Sequence, residues 1–228
     1  MGSEMCIRDS LRTPLTTIYG SSTTLLENSG AMNEEKKTKI VTGIKEDSEW
    51  LVRMVENLLS VTRLEENRLN LNLTEDLLDD VITEALRHVN RQSAEHHITI
   101  ENKTEFLLAK MDAKLIVQVI INLVDNAVKY TPKGSNIRIT TEKTGNQAVV
   151  SVSDDGNGIP DEMKPKVFDM FYSGANKVAD SRRSLGLGLS LCKSIITAHG
   201  GTITVSDNQP KGATFTFTLP AVEVQIHE

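Results

Sequence analysis

Asn122, Asn126 and Lys129 stand at i, i+4 and i+7 in the stretch Asn122-Leu-Val-Asp-Asn-Ala-Val-Lys-Tyr-Thr-Pro132. At 100° per residue they share one helix side with Gln118 and Asp125, while Ile116, Val117, Ile120, Leu123, Val124, Ala127 and Val128 share the other. Two amide oxygens and one ammonium suit a Mg2+ ion and the phosphates it bridges, because this hard cation takes oxygen ligands. A solvated helix face accounts for the same residues. Asparagine, a poor helix former, twice on one stripe weighs only slightly against that.

Two glycine clusters follow. Asp154-Asp-Gly-Asn-Gly158 comes directly after a strand pattern. Gly156 and Gly158 allow close backbone approach, and a carboxylate at Asp154 can accept from an exocyclic amine such as that of adenine. A strand-ending turn uses the same residue types. In Ser184-Leu-Gly-Leu-Gly-Leu189, Gly186 and Gly188 let the chain lie against a ligand where a helix begins, and free N–H groups there receive phosphate. A flexible loop before a helix reads identically. Gly212-Ala-Thr-Phe215 is a weaker signal, Val167–Tyr172 reads as local core, and His199-Gly-Gly201 as a helix end without a catalytic role. Pro132-Lys-Gly-Ser135 lacks the upstream glycine of a P-loop, which excludes that site.

The elements that must position these residues are legible from periodicity. A helix from Leu11, with Pro14 in its first turns, breaks at Asn28-Ser-Gly30, and a longer helix covers 34–71. Two consecutive amphipathic helices form a hairpin too small to stand alone, so pairing with a second copy as a four-helix bundle is expected. An extended piece at 70–73 precedes a helix over 75–93, with Thr74 as N-cap. Strands are expected at 97–101, 105–109, 136–142, 148–153, 201–205 and 213–219, and helices over 113–130, capped by Asp112, and 187–199. A short helix and loop fill 161–171, and 174–185 reads as a mobile loop. The C-terminal part is therefore α+β, with helices on one face of a mixed, mostly antiparallel sheet.

Bulk properties narrow the partners. The 228 residues carry a formal charge of -6, which argues against a general nucleic-acid surface. Hydrophobic content of 39% with only 4% aromatic means an aliphatic core. Cys6 and Cys192 form no CxxC, so neither a disulfide framework nor a zinc site is indicated, and a reducing cytoplasm is expected. No apolar run is long enough to span a bilayer, and no secretory signal is present. Met1–Ser10 (MGSEMCIRDS) reads as a leader foreign to the fold.

Taken in order, the asparagine helix, DxGxG, the Phe-rich segment and GLGL resemble the catalytic ATP-binding domain of sensor histidine kinases, a Bergerat-type fold. The resemblance runs from about Leu11 to the end, and Leu11-Arg-Thr-Pro-Leu15 is similar to the tail of that family's phosphoacceptor motif. It divides the chain into a leader (1–10), a dimerisation and phosphotransfer hairpin (11–71) and a catalytic ATP-binding domain (72–228). Met111–Ile116 and Val128–Pro132 are similar to the potassium-responsive Kdp-type sensor kinases. The resemblance implies ATP and Mg2+ as cofactors. Asn126 and Asn122 would hold the metal, Lys129 would meet phosphate, and Tyr130 would line the nucleotide site. Asp154 would read adenine, while Gly156, Gly158, Gly186 and Gly188 shape pocket and lid. Ile159, Leu187 and Thr214 complete the implied nucleotide set, and Thr13 takes the position that helps dephosphorylate the regulator. It also implies a homodimer, a response-regulator receiver domain as partner, and a cytoplasmic piece of a protein anchored in the inner membrane.

Two departures matter. The family motif reads His-Asp/Glu-Leu-Arg-Thr-Pro, and here Asp9 and Ser10 occupy the histidine and acidic positions. The histidines present are His88, His96, His97, His199 and His227, all outside the start of the hairpin. Truncation at this motif is the expected account. Ser184 stands where many relatives have glycine. The reading is thus a histidine-kinase fragment that binds nucleotide but lacks its phosphoacceptor. The alternatives are a non-kinase ATPase of the same fold, or a non-catalytic dimerising interaction module.

Overall fold

The computed structural model describes residues 2–28, 30–65, 71–89, 93, 95–170, 172 and 186–222. α1 spans Gly2–Asn28 and α2 Glu34–Glu65. The turn between them follows from Asn33, whose Oδ1 accepts from the Lys36 N–H at 2.9 Å as a helix N-cap, with Glu34 and Glu35 complementing the dipole behind it. α1 begins at Gly2, upstream of the expected start at Leu11. No proline interrupts Met1–Ser10, and each residue added to an existing helix gains a backbone bond at little further cost. Pro14 is consequently inside the helix rather than in its first turns, and lacks the N–H that would bond to Ser10.

The expected helix over 75–93 is divided. Thr74–Leu77 is a strand, β1, and α3 is Leu78–His88. β1 pairs antiparallel with β3, Leu108–Met111, and this pairing wins over local helix propensity. Thr74 is therefore no N-cap: its hydroxyl bonds to Asp76, and the Leu78 N–H donates to the Leu107 carbonyl at 3.0 Å. β3 itself starts three residues later than expected, because Phe106 adopts φ +52° and turns the chain.

The main sheet has the order β2-β4-β5-β7-β6, built from His97–Asn102, Asn136–Thr144, Gln147–Asp154, Ala213–Pro220 and Ile203–Asp207. β2 runs parallel to β4 and every other pairing is antiparallel, so the expected mixed, mostly antiparallel sheet is present. Its alternation buries Ile137, Ile139, Val150, Val152, Phe215 and Phe217 against the helix layer. α4 (Ala113–Tyr130) supplies Ile116, Val119, Ile120, Leu123 and Val124 to that core, and α5 (Gly188–Ala198) supplies Leu191, Ile195 and Ile196. Val119 takes the inward place expected of Val117, which is half-buried. Each such side chain contributes about 1.5–3 kcal/mol of apolar burial, so α4 is held by its core face and its polar stripe is left free to specialise.

α4 starts at Asp112, whose Oδ1 accepts from the Leu115 N–H. It stops at Thr131, forced into an extended conformation by Pro132. The expected mobile loop at 174–185, with Ser184, and Phe171 lie outside the described residues. Among the described residues no helix is long and apolar enough to cross a membrane.

Candidate functional site

Asp154 ends β5 and is 8% exposed. Its Oδ1 accepts from the Gly156 N–H at 2.9 Å and the Ala213 N–H at 3.3 Å, so both bonds fall on one oxygen and Oδ2 takes neither. Burial raises the carboxyl above its ordinary value, against the pull of these two donors, and the Asp155 charge adds to the rise. Asp155 behaves oppositely. Its Oδ2 accepts from the Asn136 amide at 2.9 Å and the Asn136 N–H at 3.1 Å, which hold it below the usual range. Adjacent carboxylates thus split: Asp155 ties β4 to the turn, while Asp154 keeps an oxygen for another donor.

The first glycine cluster is packed onto the end of α4. A Cβ at Gly156 would lie 2.9 Å from both Asp154 Oδ1 and Thr131 Cγ2, and 3.3 Å from the Tyr130 carbonyl. Only glycine fits there, and the close approach brings the Asp154 turn beside Tyr130. Tyr130 is 51% exposed, with Lys129 Nζ 5.0 Å from its ring centroid. The second cluster meets the other end of the same stripe. A Cβ at Gly188 would lie 3.4 Å from Asn122 Oδ1. Asn122 Nδ2 is enclosed beside the Cys192 thiol, which burial pushes up to about 12 against the pull of the Asn122 amide. With Nδ2 enclosed, the amide presents Oδ1 to Gly188 and the start of α5.

The donor set fits a magnesium nucleotide better than a metal held by protein alone. Among the described residues no group of three or more His, Cys, Asp or Glu side chains could form a metal cage. Mg2+ is commonly held by one or two protein oxygens together with substrate phosphates, and the half-buried Asn122 and Asn126 lie one helical turn apart on α4.

The remaining expected residues divide. Gly158 (φ +71°) and Gly186 (φ +64°) take the left-handed conformation, and Ile159 packs half-buried against the core. Leu187 is 3% exposed, so its side chain is no lining residue, and its carbonyl accepts from Leu191 and Ser190 to start α5. Thr214 does not join the site. Its hydroxyl bonds to Ser153 Oγ at 2.9 Å on the outer face of the sheet, opposite to Asp154. β7 alternates, and with Phe215 and Phe217 turned inward Thr214 must face outward. Thr13 stands apart on α1, where its carbonyl accepts from Thr17.

Sequence reasoning missed two partners of Asp154: the Ala213 main-chain N–H, and Asn208, whose Nδ2 donates to the Asp154 carbonyl at 2.8 Å. Main-chain donors leave no side-chain signature, although the alternation of β7 was a usable signal for the first.

Two family descriptions match this chain. Residues 7–67 match the His Kinase A (phospho-acceptor) domain, and residues 111–223 the Histidine kinase-, DNA gyrase B-, and HSP90-like ATPase. Sensor protein KdpD of Clostridium acetobutylicum is 40% identical over 214 residues, covering 94% of this chain and 24% of the relative. This chain therefore spans about a quarter of that relative's length. Among solved structures, the nucleotide-free catalytic domain of histidine kinase ThkA is similar at 33% identity and a TM-score of 0.57, covering 65% of this chain and 97% of that one. Histidine kinase ThkA in complex with response regulator protein TrrA is similar at 27% identity and a TM-score of 0.73, covering 96% and 61%.

Proposed function

Because the chain belongs to the sensor histidine kinase family, and within it resembles the Kdp-type sensors, we propose that it is the nucleotide-binding and dimerising module of a two-component kinase. Residues 11–71 serve as the dimerisation hairpin and 72–228 as the catalytic ATP-binding domain, on the cytoplasmic side of a longer, membrane-anchored parent. That parent passes the γ-phosphate of Mg·ATP to a histidine and then to an aspartate on a response regulator.

The observation that carries the reading is the buried Asp154 carboxylate, closed on Oδ1 by Gly156 and Ala213 and packed against the end of the asparagine helix. Oδ2 would accept from the adenine amine, next to the close-packed Gly156 turn and Tyr130. Asn122 and Asn126 would hold Mg2+, Lys129 would offset phosphate charge, and Gly186–Gly188 would bring N–H groups to the phosphates. The bound metal supplies charge neutralisation at the transferring phosphoryl group. The protein supplies position and charge stabilisation, which together carry such a transfer.

Asp9 and Ser10, just before the hairpin, stand where the family motif has its histidine and acidic residue. This chain accordingly binds nucleotide without accepting phosphate. Thr13 keeps the position that assists dephosphorylation of the regulator. Leu15 and Tyr19 are exposed one turn apart on α1, which supports a second copy as the hairpin's partner.

Incubation with radiolabelled ATP tests the transfer step. The chain should carry no acid-labile phosphohistidine, and Asp9→His with Ser10→Asp should restore one. An acid-labile label on another histidine of the unaltered chain would overturn the assignment of the defect to Asp9.

A further inference from the structure

The turn that joins β6 to β7 holds Asp154 at two points. Asn208 Nδ2 donates to the Asp154 carbonyl at 2.8 Å, and five residues on, the Ala213 N–H donates to Asp154 Oδ1 at 3.3 Å. The turn is closed on itself between these contacts, with the Asn208 N–H on the Gly212 carbonyl at 2.9 Å and Asn208 Oδ1 accepting from the Gln209 N–H. Gly212 is pressed against the same Asp154 carbonyl, where a Cβ would lie 1.8 Å from the oxygen. The turn is anchored from outside by Lys164, whose ammonium bridges Asp161 and Asp207, the residue just before Asn208. A ring of contacts therefore runs from Asp154 through the 155–160 turn to Asp161, Lys164, Asp207 and Asn208, and back to Asp154.

We propose that Asn208 is a specificity-positioning residue: its amide fixes the turn on the main chain of Asp154, so that the Ala213 N–H holds the carboxylate in the orientation that reads adenine. This rests on the nucleotide reading of the site. Asn208 touches no base. It acts through Asp154, and its loss lets the carboxylate rotate while pocket and phosphate contacts persist. The effect falls on discrimination between bases rather than on nucleotide binding as a whole. Asn208→Asp is the informative change, since it keeps the shape and the Oδ1 bond to Gln209 but sets an acceptor against the Asp154 carbonyl.

The test compares the affinities of ATP and ITP, whose base has an oxo group in place of the exocyclic amine. The comparison is made for the whole chain, for Asn208→Asp and Asn208→Ala, and for each with Asp154→Asn, with circular dichroism confirming the fold. The unaltered chain should prefer ATP. Both Asn208 variants should reduce that preference about five- to tenfold, the scale of one lost hydrogen bond, with ITP affinity nearly unchanged. In the Asp154→Asn background they should reduce it no further. Equal losses of ATP and ITP, an undiminished preference, or a further loss beyond Asp154→Asn would overturn the proposal and leave the nucleotide reading standing. An unaltered chain that binds neither nucleotide would remove both. Should Asn208→Asp not fold, Asn208→Ala alone decides between the same outcomes.

Discussion

Asp154 is an ionisable group placed where ionisation is costly. Its carboxyl is raised from an ordinary 3.8 by burial. Below that ordinary value the folded and unfolded chains both hold the proton, and no stability is lost. As pH rises through the window from 3.8 to the raised folded value, the unfolded chain ionises first and the folded state loses stability. Asp154→Asn removes this loss. The nucleotide-free variant should melt as the unaltered chain does below pH 3.8 and increasingly above it as pH rises through the window, with a constant advantage beyond it, in thermal melts across pH. An advantage that does not grow with pH would show the carboxylate to be solvated. The same variant should bind ATP roughly 10- to 100-fold more weakly, the scale of a lost charge-assisted bond. On the proposed reading, Asp154 holds function at the expense of stability. At this scale spacing and motif singled out Asp154, Asn122, Asn126 and Lys129, and the roles proposed for them rest on the family resemblance. Thr214 was misplaced because a motif states which residues occur and not which sheet face each occupies.

Elements obey pattern where their burial is one-sided and escape it where pairing is long-range. α4 was readable to its last turn, since Asp112 and Pro132 bracket an amphipathic run. β1 was not, because the pairing of Thr74–Leu77 with Leu108–Met111 joins residues some thirty positions apart, and no local signal reports the partner. The 208–213 turn is the element on which the site most depends. Gly212 adopts φ +111° with its α-carbon against the Asp154 carbonyl. Gly212→Ala should cost about 3 kcal/mol or more, from backbone strain together with the clash, and should lower the melting temperature of the nucleotide-binding part. Denaturant unfolding checks it, and a loss under about 1 kcal/mol would mean that the turn can move off β5 freely.

On the scale of the whole molecule, two amphipathic systems are closed to different degrees. The sheet and its helices bury a continuous core, whereas the hairpin leaves Leu15 54%, Tyr19 76% and Leu26 85% exposed. A second copy that covers this face would turn the hairpin into a four-helix bundle. Leu15→Glu with Tyr19→Glu should shift light scattering from dimer to monomer at tens of micromolar, without loss of nucleotide affinity. A monomeric unaltered chain at that concentration would remove the bundle. The expected division into hairpin and sheet domain rests on the change, after Leu71, from two long helices to strands interspersed with helices, whereas the helical course of Gly2–Ser10 had no signal, since nothing in nine mixed residues marks a face. The central claim is that the α4 stripe and Asp154 together hold Mg·ATP. Calorimetric titration of ATP into the chain, with and without Mg2+ and repeated for Asn126→Asp, tests it most directly. The account predicts saturable binding that Mg2+ strengthens, and a variant that folds but has lost that metal dependence. No binding by the unaltered chain, or the same metal dependence in both, would contradict it.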